Sequence, residues 1–130
     1  MLFRSEQVLL NLTRNGIQAM EAGTPVAERV LRVVVRQTHA RWVRFSVVDA
    51  GPGISPEVGA RLFTPFYTTR SDGMGLGLSL CRTVIEQHGG ALDFGPAPGA
   101  DRGTAFDFTL PTPRPAASAG AEPPRVTATA

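Results

Sequence analysis

The 130-residue chain is 42% hydrophobic and 18% charged, with a formal net charge of +2. That is the balance of one ordinary globular domain, and no apolar run approaches the ~20 residues that span a bilayer. The opening MLFRSEQ lacks the apolar core of a secretory signal, so a cytoplasmic location without direct membrane contact is expected.

A single cysteine, Cys81, excludes an internal disulfide and argues against a cysteine-built metal site, and it reads as a small apolar residue on a helix. All thirteen cationic side chains are arginine, giving a pI near 9.5 on a small net charge. Arg29, Arg32, Arg36, Arg41 and Arg44 bunch together. A nucleic-acid face is one reading of that bunching. The favoured reading puts them on the solvent side of two strands, because Arg32 and Arg36 share one parity while Leu31, Val33 and Val35 share the other. No nucleic-acid partner is therefore expected.

From Glu6 to Met20, Leu9, Leu12, Gly16 and Met20 recur at helical spacing, which predicts a helix buried on one face. Gln7, Asn11, Asn15 and Gln18 form a polar stripe on it. Such a stripe can simply face solvent, yet two asparagines mid-helix on one line also suit oxygen ligands for a hard cation such as Mg²⁺ bridging phosphates. ERVLRVVVRQ and RWVRFSVVD alternate and are joined by THA, which predicts an antiparallel hairpin with Val43, Phe45 and Val47 on one face. Asp49 continues that parity, so its carboxylate points to the buried side of the strand end. Such a group needs a donor: the exocyclic amine of a purine would serve, and capping its own turn is the competing reading. After the glycine-proline turn AGPGI, Ser55 as N-cap and Pro56 at the first helical position predict a helix of about two turns.

Phe63, Pro65, Phe66 and Tyr67 cluster ahead of the glycines, either as packing or as the anchor of a lid from which Arg70 reaches phosphates. DGMGLGLSL then runs into a helix from about Leu76 to His88, which Gly89 can end in a left-handed conformation. Gly73, Gly75 and Gly77 before that N-terminus form a candidate phosphate cradle, because free N–H groups and the helix dipole both favour an anion there. There is no Lys-Ser/Thr of a P-loop and no strand-to-helix setting of a Rossmann fingerprint. The strands ALDF and GTAFDFTL follow, with Phe106, Phe108 and Leu110 facing the core. Residues 111–130 carry five prolines and many alanines, and a disordered tail or linker is expected. The order of elements implies an α/β sandwich: a mixed, mainly antiparallel sheet with helices packed on one face.

NLTRNGIQAM, VVDAGPGI, LFTPFYTTR, DGMGLGLSL and GTAFDF, in this order, resemble the five boxes of sensor histidine kinase catalytic domains. These share a superfamily with gyrase-type, heat-shock-chaperone and mismatch-repair ATPases. The likeness covers residues 6 to 110 and looks most like the soluble-sensor, nitrogen- and oxygen-responsive branch.

The resemblance implies an ATP-binding catalytic domain over residues 1–110. Asn15 would hold Mg²⁺ with Asn11 beside it, and Asp49 would accept from the adenine amine. Gly51, Gly53, Ile54 and Thr104 would surround the base, while Phe66, Arg70, Gly73, Gly75, Leu76, Gly77 and Leu78 would line the lid and phosphate side. It also implies transfer of the γ-phosphoryl group to a histidine on a separate helical dimerisation domain, with a response regulator downstream.

Three departures stand out. Gly16 and Gln18 replace the usual alanine and acidic residue, and Arg70 stands where the lid usually carries lysine. The chain also begins almost at its first helix, so a domain truncated at the N-terminus, lacking its usual first strands, is expected. Asn11 stands where hydrolytic relatives carry a catalytic glutamate and cannot act as a base, so slow ATP hydrolysis is expected. His39, in the hairpin turn, and His88, at a helix end, do not read as phosphoryl acceptors. An anti-sigma-factor-type serine/threonine kinase on the same fold and a nucleotide-binding module without transfer activity are the alternative readings.

Overall fold

The computed structural model describes residues 5–21, 23–39, 41–65, 77–112 and 125–129. Helix α1 (Ser5–Glu21) buries Val8, Leu12 and Met20 completely, one stripe at helical spacing. Strands β1 (Val30–His39) and β2 (Trp42–Val48) pair antiparallel, Val35 opposite Phe45. The hairpin closes more tightly than expected. His39 lies inside β1 opposite Trp42, beyond an irregularity after Gln37, and not in the turn.

Helix α2 (Pro56–Arg61) starts as its sequence dictates, with Pro56 in the first turn and Ser55 Oγ accepting from the Val58 N–H at 3.3 Å. Helix α3 (Gly77–Gln87) buries Cys81, Val84 and Ile85. It ends at Gly89, whose φ of +86° lets the Gly90 N–H reach back to the Ile85 carbonyl. Strands β3 (Leu92–Pro96) and β4 (Thr104–Pro111) complete the inner sheet.

The strand order is β3-β4-β2-β1, with β5 (Arg125–Thr129) outside β1, and every pairing among the described strands is antiparallel. The inner face carries Leu31, Val47, Leu92, Phe106 and Phe108 against α1 and α3, the two-layer arrangement the order of elements implies. Phe45 stacks on Phe108 at 4.7 Å between ring centroids. On the other face Arg32 and Arg36 are exposed, and Arg44 pairs with Asp107 at 2.9 Å. Three of the five clustered arginines thus decorate the outer face of the sheet, while Arg29 donates to the Thr24 carbonyl ahead of β1 and Arg41 stands in the hairpin turn.

Strand β5 corrects the expectation of a tail without structure from residue 111. Pro111 belongs to β4, and Val30 to Val34 pair with Thr129 to Arg125. The proline-free RVTAT has nothing local to order it, but the outer edge of β1 presents a row of N–H and C=O groups that a strand satisfies. Residues 113–124 lie outside the described residues.

Candidate functional site

The site is built where α1 crosses the end of β2. Asp49 follows β2 on the inner face and is only 6% exposed. Its Oδ1 accepts from the Gly51 N–H at 2.8 Å and from the Thr104 N–H at 3.3 Å. The two readings of Asp49 are therefore compatible: one carboxylate oxygen caps the turn, and no described residue donates to Oδ2. Burial pushes the carboxyl above its usual range, and the two backbone N–H groups pull it partly back.

Glycines let the backbone close around this carboxylate. A Cβ on Gly16 would lie 2.6 Å from Leu31 Cδ1 and 3.3 Å from Asp49 Cβ, so α1 rests directly on the strand end. The unusual glycine at this position, a loss of roughly 1 kcal/mol in helix propensity, permits that approach. A Cβ on Gly51 would meet Asp49 Oδ1 at 3.0 Å and Ala19 Cβ at 3.1 Å. Gly53 has a φ of +87°, a left-handed backbone that favours glycine.

Three supporting residues escaped the sequence reading. Gly103, with φ +108°, brings the start of β4 so close that a Cβ there would lie 2.3 Å from the Asp49 carbonyl oxygen. Buried Thr24 donates its hydroxyl to the Ala50 carbonyl at 3.0 Å and holds the turn from outside. Cys81, read only as packing, accepts from Asn11 Nδ2 at 3.6 Å. The glycine in GTAFDF was the one available signal for Gly103; the other two contacts join elements distant in sequence.

Nearer the N-terminus of α1, Asn11 of the polar stripe meets α3. Gln7, Asn11, Asn15 and Gln18 are all half-buried, so the stripe is not a freely solvated face. Asn11 Nδ2 lies 3.8 Å from where a Cβ of Gly77 would stand, which sets its carboxamide against the first turn of α3. Asn15 stands one turn further along, next to Gly16. Ile54 and Leu78 pack against the edge of the core, and Thr104 is buried beside Asp49. Phe63 lies 6.0 Å from Phe94 between ring centroids, under the Arg82 guanidinium at 4.6 Å, so α2 and α3 are tied together behind this end.

Phe66, Arg70, Gly73, Gly75 and Leu76 lie outside the described residues. No group of three or more His, Cys, Asp or Glu gathers among the described residues, so a cation here would be held by amide oxygens, water and phosphate. That donor set suits Mg²⁺, which takes few protein ligands and keeps its waters. His88 is committed elsewhere, its Nδ1 donating to the Val84 carbonyl at 2.7 Å. No helix among the described residues is long and apolar enough to cross a membrane.

A family profile described as "Histidine kinase-, DNA gyrase B-, and HSP90-like ATPase" matches residues 3–114. The C4-dicarboxylate transport sensor protein DctS of Rhodobacter capsulatus is 46% identical over 114 residues, which is 88% of this chain and 17% of that protein. The mycobacterial sensor histidine kinase MprB superposes with a TM-score of 0.71 at 31% identity, over 85% of this chain and 70% of that one. Full-length ShkA in complex with AMPPNP superposes with a TM-score of 0.67 at 34% identity, over 86% of this chain and 22% of that one. The chain thus spans about a sixth of the length of DctS. With the glycine-framed carboxylate, the paired asparagines and the α3 terminus on one side of an antiparallel sheet, the chain belongs to the histidine kinase-, gyrase- and HSP90-like ATPase family, within it to the catalytic domains of sensor histidine kinases.

Proposed function

We propose that this chain binds Mg²⁺–ATP and presents its γ-phosphoryl group to a histidine on a separate helical dimerisation domain in two-component signalling, with a response regulator as the next acceptor. The observation that carries this reading is an order along α1. Gly16 rests on Asp49 at the base end, Asn15 comes next, and Asn11 abuts Gly77 at the phosphate end. Adenine, metal and phosphates would meet their partners in that sequence along one helix face.

Asp49 Oδ2 accepts from the adenine amine, while Gly51, Gly53, Ile54 and Thr104 shape a space for a flat ring. The carboxamide oxygens of Asn15 and Asn11 would hold the cation. The free N–H groups of the first turn of α3, beginning at Gly77, favour the phosphates. By the family likeness, Phe66, Arg70, Gly73, Gly75, Leu76 and Leu78 close the phosphate side. Bound Mg²⁺ supplies charge neutralisation on the phosphate oxygens. Asn11, standing where hydrolytic relatives carry a glutamate, offers no general base, because an asparagine carboxamide takes no proton. Positioning for transfer, and not activation of water, is what such a site contributes.

Calorimetry on Asn15→Ala tests the metal role: the Mg²⁺-dependent part of ATP affinity disappears, and an unchanged Mg²⁺ response refutes the assignment. For transfer, labelled ATP and a helical dimerisation domain of a related kinase yield acid-labile label on that domain and none on this chain. Acid-stable label, or rapid phosphate release without a partner, refutes histidine transfer.

A further inference from the structure

We propose that Cys81 is a positioning residue for the metal-facing carboxamide of Asn11, its sulfur holding the amide so that Oδ1 is turned to the site; this rests on the metal reading of Asn11 given above. Cys81 is fully buried one turn inside α3, and on the same helix face one turn earlier is Gly77. The Asn11 side chain occupies the notch between them. Its Nδ2 is 3.6 Å from Cys81 Sγ and 3.8 Å from the place a Gly77 Cβ would take.

The two ends of a carboxamide have nearly the same shape, so packing alone does not choose between them. Only Oδ1 can ligate a cation or orient its water. In the structure Nδ2 donates to Sγ, and with the NH₂ end so engaged Oδ1 is the end left to a ligand. Groups behind a ligand that fix its orientation commonly matter about 10-fold or more for metal affinity. Packing explains why a small apolar side chain stands at position 81. It does not explain an acceptor placed within reach of an amide that abuts the start of α3.

Four proteins separate the possibilities: the unaltered chain, Cys81→Ala, Cys81→Ser and Asn11→Ala. ATP affinity is measured with and without Mg²⁺, melting without ligand, and the Asn11 side-chain NH₂ signals by NMR in the ligand-free chain. Cys81→Ala loses about 10-fold of the Mg²⁺-dependent gain in affinity and moves the Asn11 NH₂ signals toward their solvated positions. Cys81→Ser keeps an acceptor and retains both properties within about twofold. Stability ranks the variants the other way, because a buried hydroxyl costs more than a methyl group. A merely structural cysteine would make metal response follow stability.

An alanine variant with the full Mg²⁺ response and unmoved NH₂ signals overturns the proposal. So does a serine variant that fails as alanine does. If Asn11→Ala abolishes the Mg²⁺ response and Cys81→Ala does not, only the positioning role falls. If Asn11→Ala leaves the response intact, the metal reading of Asn11 falls and this inference with it.

Discussion

Replacing Asp49 by asparagine changes one oxygen to an NH₂ and leaves the shape of the side chain alone, yet the geometry dictates a large and specific effect. The oxygen in the Oδ1 position is bound by the N–H groups of Gly51 and Thr104, at 2.8 and 3.3 Å. The single oxygen of asparagine must stay there, which forces Nδ2 into the Oδ2 position facing the ligand. A donor then meets the donor of the adenine amine. Loss of one charge-assisted hydrogen bond costs about 1.5 to 3 kcal/mol, or roughly 10- to 150-fold in ATP affinity. GTP carries a carbonyl where ATP carries the amine, so the preference for ATP over GTP should shrink or invert.

Titration supplies a second signature. Burial raises the folded-state carboxyl above its ordinary value of 3.8, so between those two values the folded chain holds more protons than the unfolded one. Stability contributed through Asp49 therefore falls as pH rises through that window. ATP affinity runs the opposite way, because the charged form is the better acceptor, and it falls as pH drops toward the raised value. Both slopes flatten in Asp49→Asn. Calorimetry across pH with ligand-free melting tests the argument. It is refuted if the ligand-free variant loses as much stability as it loses binding energy, or if the ATP-over-GTP preference is unchanged.

Gly103→Ala places a Cβ at 2.3 Å from the Asp49 carbonyl on a backbone at φ +108°. It should cost about 3 kcal/mol or more, read as a drop in melting temperature with weakened ATP binding. Ser55→Ala removes one cap bond at an exposed helix start, so it should cost about 0.5 to 1 kcal/mol and leave ATP affinity within about twofold. A loss beyond 2 kcal/mol there would mean that α2 carries more of the fold than its six residues and half-buried packing imply.

Local chemistry was enough to place most of the elements. Ser55 and Pro56 start α2 and Gly89 stops α3 because caps act within one turn of chain, whatever lies beyond. Alternation put Phe106, Phe108 and Asp49 on the inner face because a strand fixes parity residue by residue. Contacts between distant segments decided the rest. The sequence could give Asp49 a buried carboxylate, but only the approach of Thr104, 55 positions away, completes the pair of N–H groups on Oδ1 and leaves Oδ2 with no donor among the described residues. Gly16 reads as a weak point in a helix until Leu31 and Asp49 stand where its side chain would be. Cys81 reads as packing until Asn11, 70 positions away, comes within reach of its sulfur. The same holds for Arg125–Thr129, a strand with no partner nearby in sequence, whose pairing comes from the outer edge of β1. Side-chain periodicity and caps are properties of neighbouring residues, whereas these four features are set by backbones meeting across the sheet and between helices, which no local pattern encodes.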